Sequence, residues 1–405
     1  MSAQPKILWI LNGCGLEGRG ITGGPVRFHE ISRRWAAAGG CEQRLLTTPG
    51  GETMLRGMGC ALDMTVTRAS FALKREPCRP FRLWSYVVTA LTSGGALARL
   101  ADAFAPDVAI TASDYFCDVI PALRLKRRAG CRWIAWIHHR ETPPAQRPGN
   151  RLANELTYRM QEWSFRRIAR HADEAWTYTT DAGDLVEERL KAFGMDPRRI
   201  RRMKCGVNLG EIRSAPEPGK TVDAVMIGVR PNKGLWDVVP IWKQVLAAHP
   251  GATLRLMGGM SGEAELLRQI REEGLEKLIT TFRPEGGFLP PEAYYSKIKE
   301  ARILFAPSHE EGWGIVHCEA MAAGVPVAAY DLPVYRRIYG GAMAIAPAFD
   351  FAAFAGNVVR LLDDPGHCAE MRARGSACAA GYDWDALAED DFKAILKHRA
   401  GAAGD

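Results

Sequence analysis

Long apolar runs are missing from this sequence of 405 residues. No stretch approaches the ~20 consecutive apolar residues that a helix needs to cross a bilayer. The start, MSAQPK, lacks the apolar region of a signal peptide. The ten cysteines are scattered singly from Cys14 to Cys378, without a C-x-x-C pair or a Cys/His cluster at zinc spacing. We therefore expect a cytoplasmic protein with reduced thiols, without disulfides or a structural metal.

Three patterns that would define other classes of protein are also missing. The glycine-rich stretch 21–31 is not G-x-G-x-x-G, and no carboxylate ends the second predicted strand, which disfavours a dinucleotide-binding dehydrogenase. Because no nucleic-acid-binding module is recognisable, we expect no nucleic-acid partner. No Asp-x-Asp pair stands at a predicted strand end. Asp363 and Asp364 lie late in a helical pattern before Pro365, where a structural role fits better than magnesium binding.

The composition is that of an ordinary globular protein, 47% hydrophobic and 24% charged, with a length that suits two domains. Charge is divided unevenly. Residues 1–205 hold 32 Lys and Arg against 20 Asp and Glu, whereas residues 206–405 hold 21 against 26. A basic half attracts nucleic acid, an anionic membrane surface or a phosphorylated substrate. Charge alone does not choose among these, and a solvated Arg-rich surface explains it equally well.

Short β-branched runs alternate with longer amphipathic stretches along the whole chain, which predicts parallel sheets with crossover helices. The predicted strands of the first half are 6–11, 43–47, 107–111, 132–137 and 174–178. Those of the second half are 223–227, 253–257, 278–282, 303–306 and 326–329. We therefore expect an α/β fold of two doubly wound, Rossmann-like domains, with ligands at the carboxyl ends of the strands.

A Pro/Gly-rich polar run, Ser214–Lys220, lies between the two predicted sheets. Proline disfavours both helices and central strands, so we predict the interdomain linker there. The predicted domains are residues 1–213 and 214–384. A terminal helix follows over 385–405.

The most informative stretch, 305–327, follows a pattern of strand, loop, helix and strand. Glu311 and Glu319 are eight positions apart, a little over two helical turns, so both carboxylates are able to face one cleft. Gly312 and Gly314 let the backbone approach a ligand and expose amides at a helix N-terminus, where the helix dipole favours a diphosphate.

The strings EGWG at 311–314, EAMA at 319–322 and GVPV at 324–327 closely resemble the paired-glutamate motif of the family 4 retaining glycosyltransferases. The resemblance implies a GT-B fold, in which two Rossmann-like domains face each other across a cleft and a C-terminal helix crosses back to the first domain. It assigns Glu311 to the hydroxyls of the transferred sugar and Glu319 to the ribose. It also implies donor contacts from Gly312, Trp313, Gly314 and Ile315.

A loop after the first strand of the second half carries Arg230 and Lys233. Cations in such a loop supply fixed positive charge where a nucleoside diphosphate would leave. The pair resembles the family's diphosphate-binding Arg and Lys. Lys233-Gly234 matches well, whereas Arg230 lies only three residues before the lysine, closer than is common in the family. An exposed loop arginine is the alternative.

Two further elements of the first half resemble the family's donor site. Gly23 and Gly24, before a predicted helix, match the loop in which the second glycine lets backbone amides approach the donor phosphate. His138 and His139 directly follow a predicted strand, and the resemblance places one histidine near the donor sugar. Strand alignment favours His138, although a structural histidine is the commoner case and either ring could lie in the cleft. In the second half, Gly287 and Phe288 resemble the loop against which the nucleotide base lies.

The resemblance implies a retaining, metal-independent hexosyltransferase that needs no cofactor. Its donor would be a nucleoside-diphosphate sugar of UDP or GDP type, with residues 1–213 binding the acceptor and 214–384 the donor. The catalytic candidates are Glu311, His138, Arg230 and Lys233. A nucleotide-sugar 2-epimerase and a non-catalytic nucleotide-sugar-binding paralogue are the alternatives on this fold.

The acceptor is less defined by the sequence. The basic half includes Lys74, Arg75, Arg79, Arg82 and the run Arg124–Arg128, and it also holds the apolar stretch Leu83–Leu100. These features suit a glycan or lipid-linked acceptor at an anionic membrane surface, with the protein peripheral to the inner face. A buried helix with amphipathic flanks explains Leu83–Leu100 equally well.

Overall fold

The computed structural model describes residues 4–13, 23–67, 79–145, 150–260, 263–284 and 289–401. The chain divides into two compact units: Met1–Lys204 with Ala388–Asp405, and Cys205–Leu387. Each unit is built on a parallel sheet with crossover helices. The predicted α/β class with two Rossmann-like domains is confirmed.

The described residues of the first unit form seven strands: β1 (Lys6–Leu11), β2 (Glu42–Thr47), β3 (Asp63–Val66), β4 (Val108–Thr111), β5 (Arg132–Ile137), β6 (Glu174–Tyr178) and β7 (Ile200–Met203). Its helices are α1 (Gly23–Ala37), α2 (Pro49–Gly57), α3 (Arg79–Phe104), α4 (Phe116–Ala129), α5 (Arg151–His171) and α6 (Asp181–Ala192). The strands pair in parallel in the order β3-β2-β1-β4-β5-β6-β7. The order reverses direction at β1 and β4, and such switch points are where ligands bind in open α/β sheets.

Aromatic side chains fill much of the interior of the first unit. Trp9 and Trp136 are fully buried and meet edge to face, with ring centroids 5.2 Å apart. Trp9 also stacks on Trp35 of α1 at 5.4 Å. The central strands β1 (KILWIL) and β5 (RWIAWI) are covered on both faces by helices, which explains their nearly continuous apolar sequences.

In the part of the second unit that the structure describes there are six strands: β8 (Val222–Val229), β9 (Leu254–Met260), β10 (Ile279–Phe282), β11 (Ala301–Ala306), β12 (Val327–Tyr330) and β13 (Ala344–Ala346). Its helices are α7 (Leu209–Ser214), α8 (Val238–Ala248), α9 (Glu263–Glu272), α10 (Pro291–Lys299), α11 (Ile315–Ala322), α12 (Pro333–Ile338), α13 (Phe351–Asp363) and α14 (Pro365–Ala379). The strands pair in parallel in the order β10-β9-β8-β11-β12-β13, so the switch point lies at β8 and β11.

The last helix, α15 (Trp384–Gly401), contributes to both units. Its residues from Ala388 onward belong to the first unit, as the GT-B resemblance implies. There the Trp35 indole donates to the Ala388 carbonyl at 2.8 Å, and the fully buried Arg27 forms an ion pair with Asp391. The run Ser214–Lys220 begins at the last residue of α7 and precedes β8 inside the second unit. The predicted domain bounds stay predictions.

The apolar stretch Leu83–Leu100 is part of helix α3. Its side chains Ala90, Leu97 and Leu100 are buried, whereas Leu91 is 60% exposed. The burial favours the alternative of a core helix for the described part of this stretch. Within the described ranges, no helix has the length and apolar character needed to cross a membrane.

Candidate active site

Two loops of the second unit pack closely where β8 and β11 end. Gly234 has a φ of +78°, and a Cβ at this position would lie 2.0 Å from the Pro307 carbonyl oxygen. The His309 amide donates to the Asn232 carbonyl at 3.0 Å. Only glycine fits at 234 without moving the backbone, so the loop with Arg230 and Lys233 is held against the loop with Glu311.

Lys233 and Glu311, which the sequence assigns to one site, form an ion pair across these loops. Their side chains are 17% and 7% exposed. The Ser308 hydroxyl donates to the same Glu311 oxygen, Oε1, at 3.0 Å. Burial alone would raise the pKa of Glu311, but Lys233, His317 and the Ser308 hydrogen bond together hold that pKa below its ordinary value. Glu311 is therefore an anion at neutral pH.

Helix α11 begins beside this pair. Gly314 has a φ of +85°, and a Cβ there would lie 2.9 Å from His317 Nδ1. The Tyr339 hydroxyl donates to the carbonyls of Trp313 at 3.1 Å and Gly314 at 2.9 Å. These two hydrogen bonds fix the backbone just before α11. The first backbone amides of α11 therefore form a fixed positive end of the helix dipole. Gly312 and Ile315 flank this turn and are partly buried.

The Trp313 indole is 4% exposed and meets Tyr382 edge to face, with ring centroids 5.6 Å apart. The side chain thus belongs to the interior of the second unit. A donor contact at Trp313 would have to use its backbone.

His317 is a buried residue of this site that the sequence interpretation did not select. It is 2% exposed and its Nε2 lies 2.9 Å from the Tyr335 hydroxyl. Burial lowers the pKa of His317 to about 4, so the ring is neutral. With Lys233 and Ser308 it lines a cavity of about 10 Å³. The motif string contained this histidine, but its helical position gave no sign that it would face Glu311.

The second motif carboxylate, Glu319, accepts a hydrogen bond from the Tyr294 hydroxyl of α10 at 2.8 Å. Burial, followed by the charge of Glu319, raises the pKa of Tyr294 well above its ordinary value. The tyrosine therefore stays protonated, and its hydroxyl donates a hydrogen bond to the carboxylate. Tyr294 was not selected from the sequence, because tyrosines are ordinary residues of a helix that packs on a sheet.

Arg230 directly follows β8, and its side chain is partly buried. Its Nε atom is buried and has no hydrogen-bond partner among the described residues. A buried guanidinium nitrogen without a partner is costly unless it meets an acceptor. This geometry suits an anion at the same edge of the sheet as Lys233.

In the first unit, the structure brings Gly24 and His138 together. A Cβ on Gly24 would lie 2.8 Å from His138 Nε2. Gly23, the first residue of α1, is exposed. Gly24 thus lets the start of α1 lie against the histidine at the end of β5, and the family resemblance had assigned both residues to one site without specifying contact.

Both ring nitrogens of His138 are hydrogen bonded. Nε2 lies 2.7 Å from the Ala112 carbonyl, which is able only to accept, so Nε2 carries the proton and Nδ1 accepts from Tyr178 at 2.9 Å. Burial lowers the pKa of His138 to about 4. His139 is different: its side chain is 44% exposed and lies 3.8 Å from Glu141.

Two buried carboxyls that follow β4, one in the loop and one in the first turn of α4, were missed by the sequence interpretation. Asp114 accepts from Gln161 at 2.9 Å, and burial raises its pKa to about 6. Asp118 accepts from the Asn12 amide at 2.5 Å and from Ser113, and burial raises its pKa to about 7. The signal existed, because Asp114 follows a predicted strand, as His138 does.

Gly287 and Phe288, expected to face the nucleotide base, lie outside the described residues. So do Lys74 and Arg75 of the basic half. Their roles stay predictions.

Comparisons with known proteins bear on both halves of the chain. Residues 22–206 match the glycosyl transferase 4-like domain family. Residues 211–377 match the family of glycosyl transferases group 1. The chain belongs to the family 4-type GT-B glycosyltransferases. The family resemblance seen in the sequence is thereby confirmed.

Curated relatives of this glycosyltransferase include two enzymes of inositol chemistry. It is 30% identical over 263 residues to D-inositol 3-phosphate glycosyltransferase of Acidothermus cellulolyticus, covering 60% of this chain and 55% of the relative. It is 31% identical over 209 residues to phosphatidyl-myo-inositol mannosyltransferase of Mycobacterium leprae, covering 49% and 53%. The matches thus span a little over half the length of these relatives.

The GT-B fold is shared with Anabaena Alr3699/HepE, solved in complex with UDP and glucose. The two superpose with a TM-score of 0.72 at 14% sequence identity, covering 97% of this chain and 100% of that protein. At this identity the likeness establishes the fold.

Proposed function

We propose that this glycosyltransferase moves a hexose-type sugar from a nucleoside-diphosphate donor to an acceptor hydroxyl, with retention of configuration and without a metal. One observation carries the proposal: Arg230, Lys233, Glu311 and the start of α11 converge at the switch point of the second sheet. Two cations and a helix N-terminus suit a diphosphate. A buried, ionised carboxylate beside them suits the hydroxyls of the attached sugar.

Glu311 binds rather than attacks in this proposal. The carboxylate is held by the ion pair with Lys233 and by the hydrogen bond from Ser308, so its charge is already engaged. Retention follows when the acceptor attacks from the face that the phosphate leaves, with the acceptor proton passing to a phosphate oxygen. Catalysis then consists of positioning and of stabilising the departing diphosphate by Arg230, Lys233 and the α11 amides.

His138 has a supporting part in the first unit. Because its ring is neutral and its Nε2–H is bound to Ala112, we assign it to shaping the donor sugar's surroundings with Gly24.

For the acceptor we propose a glycan or a lipid-linked or phosphorylated hydroxyl compound bound by the first unit. The excess of Lys and Arg over Asp and Glu in residues 1–205 supports a negatively charged acceptor. One of the two inositol relatives is named for a phosphate ester and the other for a phospholipid, and both compounds carry the negative charge proposed for the acceptor. A cytoplasmic location, peripheral to an anionic membrane surface, belongs to the same proposal.

A nucleotide-sugar 2-epimerase is the alternative function on this fold. It would use the same diphosphate site but would consume the nucleotide-sugar without an acceptor. Release of the nucleoside diphosphate that depends on an added acceptor would distinguish transfer from epimerisation, and a non-catalytic paralogue would show neither reaction.

The first experiment is a thermal-shift panel of UDP-, GDP- and ADP-sugars with and without EDTA. We expect one nucleotide family to raise the melting temperature and EDTA to leave that shift unchanged. A shift that EDTA abolishes would contradict metal independence. Donor hydrolysis and transfer by Glu311→Ala are then compared with those of the unchanged protein, and undiminished activity would remove the central assignment.

A further inference from the structure

The Lys233–Glu311 ion pair joins two groups that the proposed function assigns to different parts of the donor. Lys233 is assigned to the diphosphate and Glu311 to the sugar hydroxyls. In the structure these two side chains bind each other, and both are largely buried. Each must therefore exchange or share its partner when a donor enters. The inference that follows rests on the proposed function.

A bare nucleoside diphosphate and a nucleotide-sugar would meet this pair differently. Without a sugar, Glu311 gains no new donor, stays bound to Lys233 and holds a carboxylate close to the phosphate. With a sugar, its hydroxyls donate to Glu311 and replace the ammonium, which frees Lys233 for the diphosphate. We propose that the Lys233–Glu311 pair makes this site select nucleoside diphosphates that carry a sugar over bare nucleoside diphosphates.

The surroundings of the pair support this selection. The Ser308 hydroxyl holds Glu311 Oε1 at 3.0 Å, so the carboxylate does not swing away to relieve repulsion. Because the Glu311 side chain is only 7% exposed, water and salt screen its charge poorly. The consequence for turnover is that the spent diphosphate, having lost the sugar, leaves more readily than the donor.

Arg230 keeps the site able to bind a diphosphate while Lys233 is engaged. Its guanidinium follows β8 directly, and its buried Nε has no partner among the described residues. The ion pair thus biases the choice between two ligands, and it does not close the site to either.

The test compares Glu311→Gln with Glu310→Gln. Gln keeps the shape of Glu311 but removes the charge, whereas Glu310 is the exposed neighbour in the same loop and serves as the matched control. Dissociation constants are measured by calorimetry for UDP, GDP and ADP and for the corresponding nucleotide-sugars. We expect Glu311→Gln to bind the bare diphosphate on the order of tenfold more tightly and the nucleotide-sugar on the order of tenfold more weakly. Glu310→Gln should change both less than twofold.

Ser308→Ala is a second variant that keeps both charges. Like Glu311→Gln, it should favour the bare diphosphate over the nucleotide-sugar in the ratio of their dissociation constants, but by a smaller factor. The reason is that Glu311 is then held less firmly. The inference is overturned if Glu311→Gln binds the bare diphosphate no more tightly, or if Glu310→Gln gives the same gain. If the unchanged protein binds no nucleotide at all, the proposed function fails first and the inference falls with it.

Discussion

The two units present different kinds of chemistry at the carboxyl edges of their sheets. In the second unit, Lys233 and Glu311 are opposite charges that form a largely buried ion pair. In the first unit, His138 is neutral, is hydrogen bonded at both ring nitrogens and lies against Gly24. The candidate site of the second unit is thus marked by charge, and the candidate residues of the first unit by close packing.

Removing Lys233 should have the largest effect. Lys233→Met takes away a cation assigned to the leaving diphosphate, so kcat/KM for transfer should fall about 10²–10³-fold. It also leaves the buried Glu311 without its cation, and the free energy of unfolding should fall by about 3 kcal/mol.

The double variant Lys233→Met/Glu311→Gln separates the two losses. It should regain much of the stability in urea denaturation but none of the activity. If the Lys233→Met protein has unchanged kcat/KM, charge in the second unit is dispensable for transfer. The contrast between charge in the second unit and close packing in the first would then be wrong.

Acid should weaken the second unit more than the first. His138 and His317 have pKa values near 4 in the folded protein against an ordinary value of 6.5, so the unfolded chain binds more protons between these limits. Each therefore lowers the free energy of unfolding by up to about 1.4 kcal/mol for each pH unit as pH falls from 6.5 to 4.

In the first unit, two carboxyls oppose this trend. The pKa of Asp118 is raised to about 7 and that of Asp114 to about 6, so over the same range these two carboxyls bind more protons in the folded protein than in the unfolded chain and offset part of the loss caused by the histidines. Hydrogen exchange followed by mass spectrometry at pH 4.5 and 6.5 would resolve the units. Equal losses in both units would contradict the prediction, and His317→Gln should flatten the response of the second unit.

Gly24→Ala tests the role of shape in the first unit. The added Cβ would meet His138 Nε2 at 2.8 Å and displace the ring from the Ala112 carbonyl, which should cost about 1–3 kcal/mol in urea denaturation. Gly95→Ala is the matched control, because Gly95 lies in helix α3 and its nearest neighbour is the end of the Arg99 side chain at 3.8 Å. The control should be neutral or stabilising by up to about 1 kcal/mol. A tolerated Gly24→Ala would mean that the start of α1 is adjustable.

The smallest effect is expected at Tyr294. Tyr294→Phe removes the hydrogen bond to Glu319, so the carboxylate assigned to the ribose is held less firmly and the dissociation constant for the nucleotide should rise about fivefold. The preference for ribose over 2′-deoxyribose nucleotides should fall as well. Tyr295→Phe on the same helix is the control, since its hydroxyl faces Asn208 at 3.4 Å. If Tyr294→Phe and Tyr295→Phe show the same preference for ribose over 2′-deoxyribose nucleotides, Tyr294 does not act on the ribose-binding carboxylate.

Much of the fold could be predicted from the sequence because central strands are buried on both faces. β1, β5 and β6 have the predicted bounds. The missed strands, β3, β7 and β13, lie at sheet edges and have only three or four residues. In β3 (DMTV), no side chain is fully buried, so no apolar run marked it.

The candidate site could be predicted in part. The motif selected Glu311 and Lys233, but it did not show that these residues, 78 positions apart, bind each other. Their contact depends on the pairing of β8 with β11 and on the close approach at Gly234. Likewise, the burial of the Trp313 indole follows from packing on Tyr382, which no local pattern reveals.

The first unit is assembled from two distant pieces of sequence, since residues from Ala388 onward complete it. Arg27, fully buried, has its carboxylate partner at Asp391, 364 positions later. On the ribosome, the unit that is begun first is therefore finished last, after the whole of the second unit has been made. A chain released early would leave the buried Arg27 without its carboxylate partner. Chains that lack the residues from Ala388 onward would therefore depend most on chaperones.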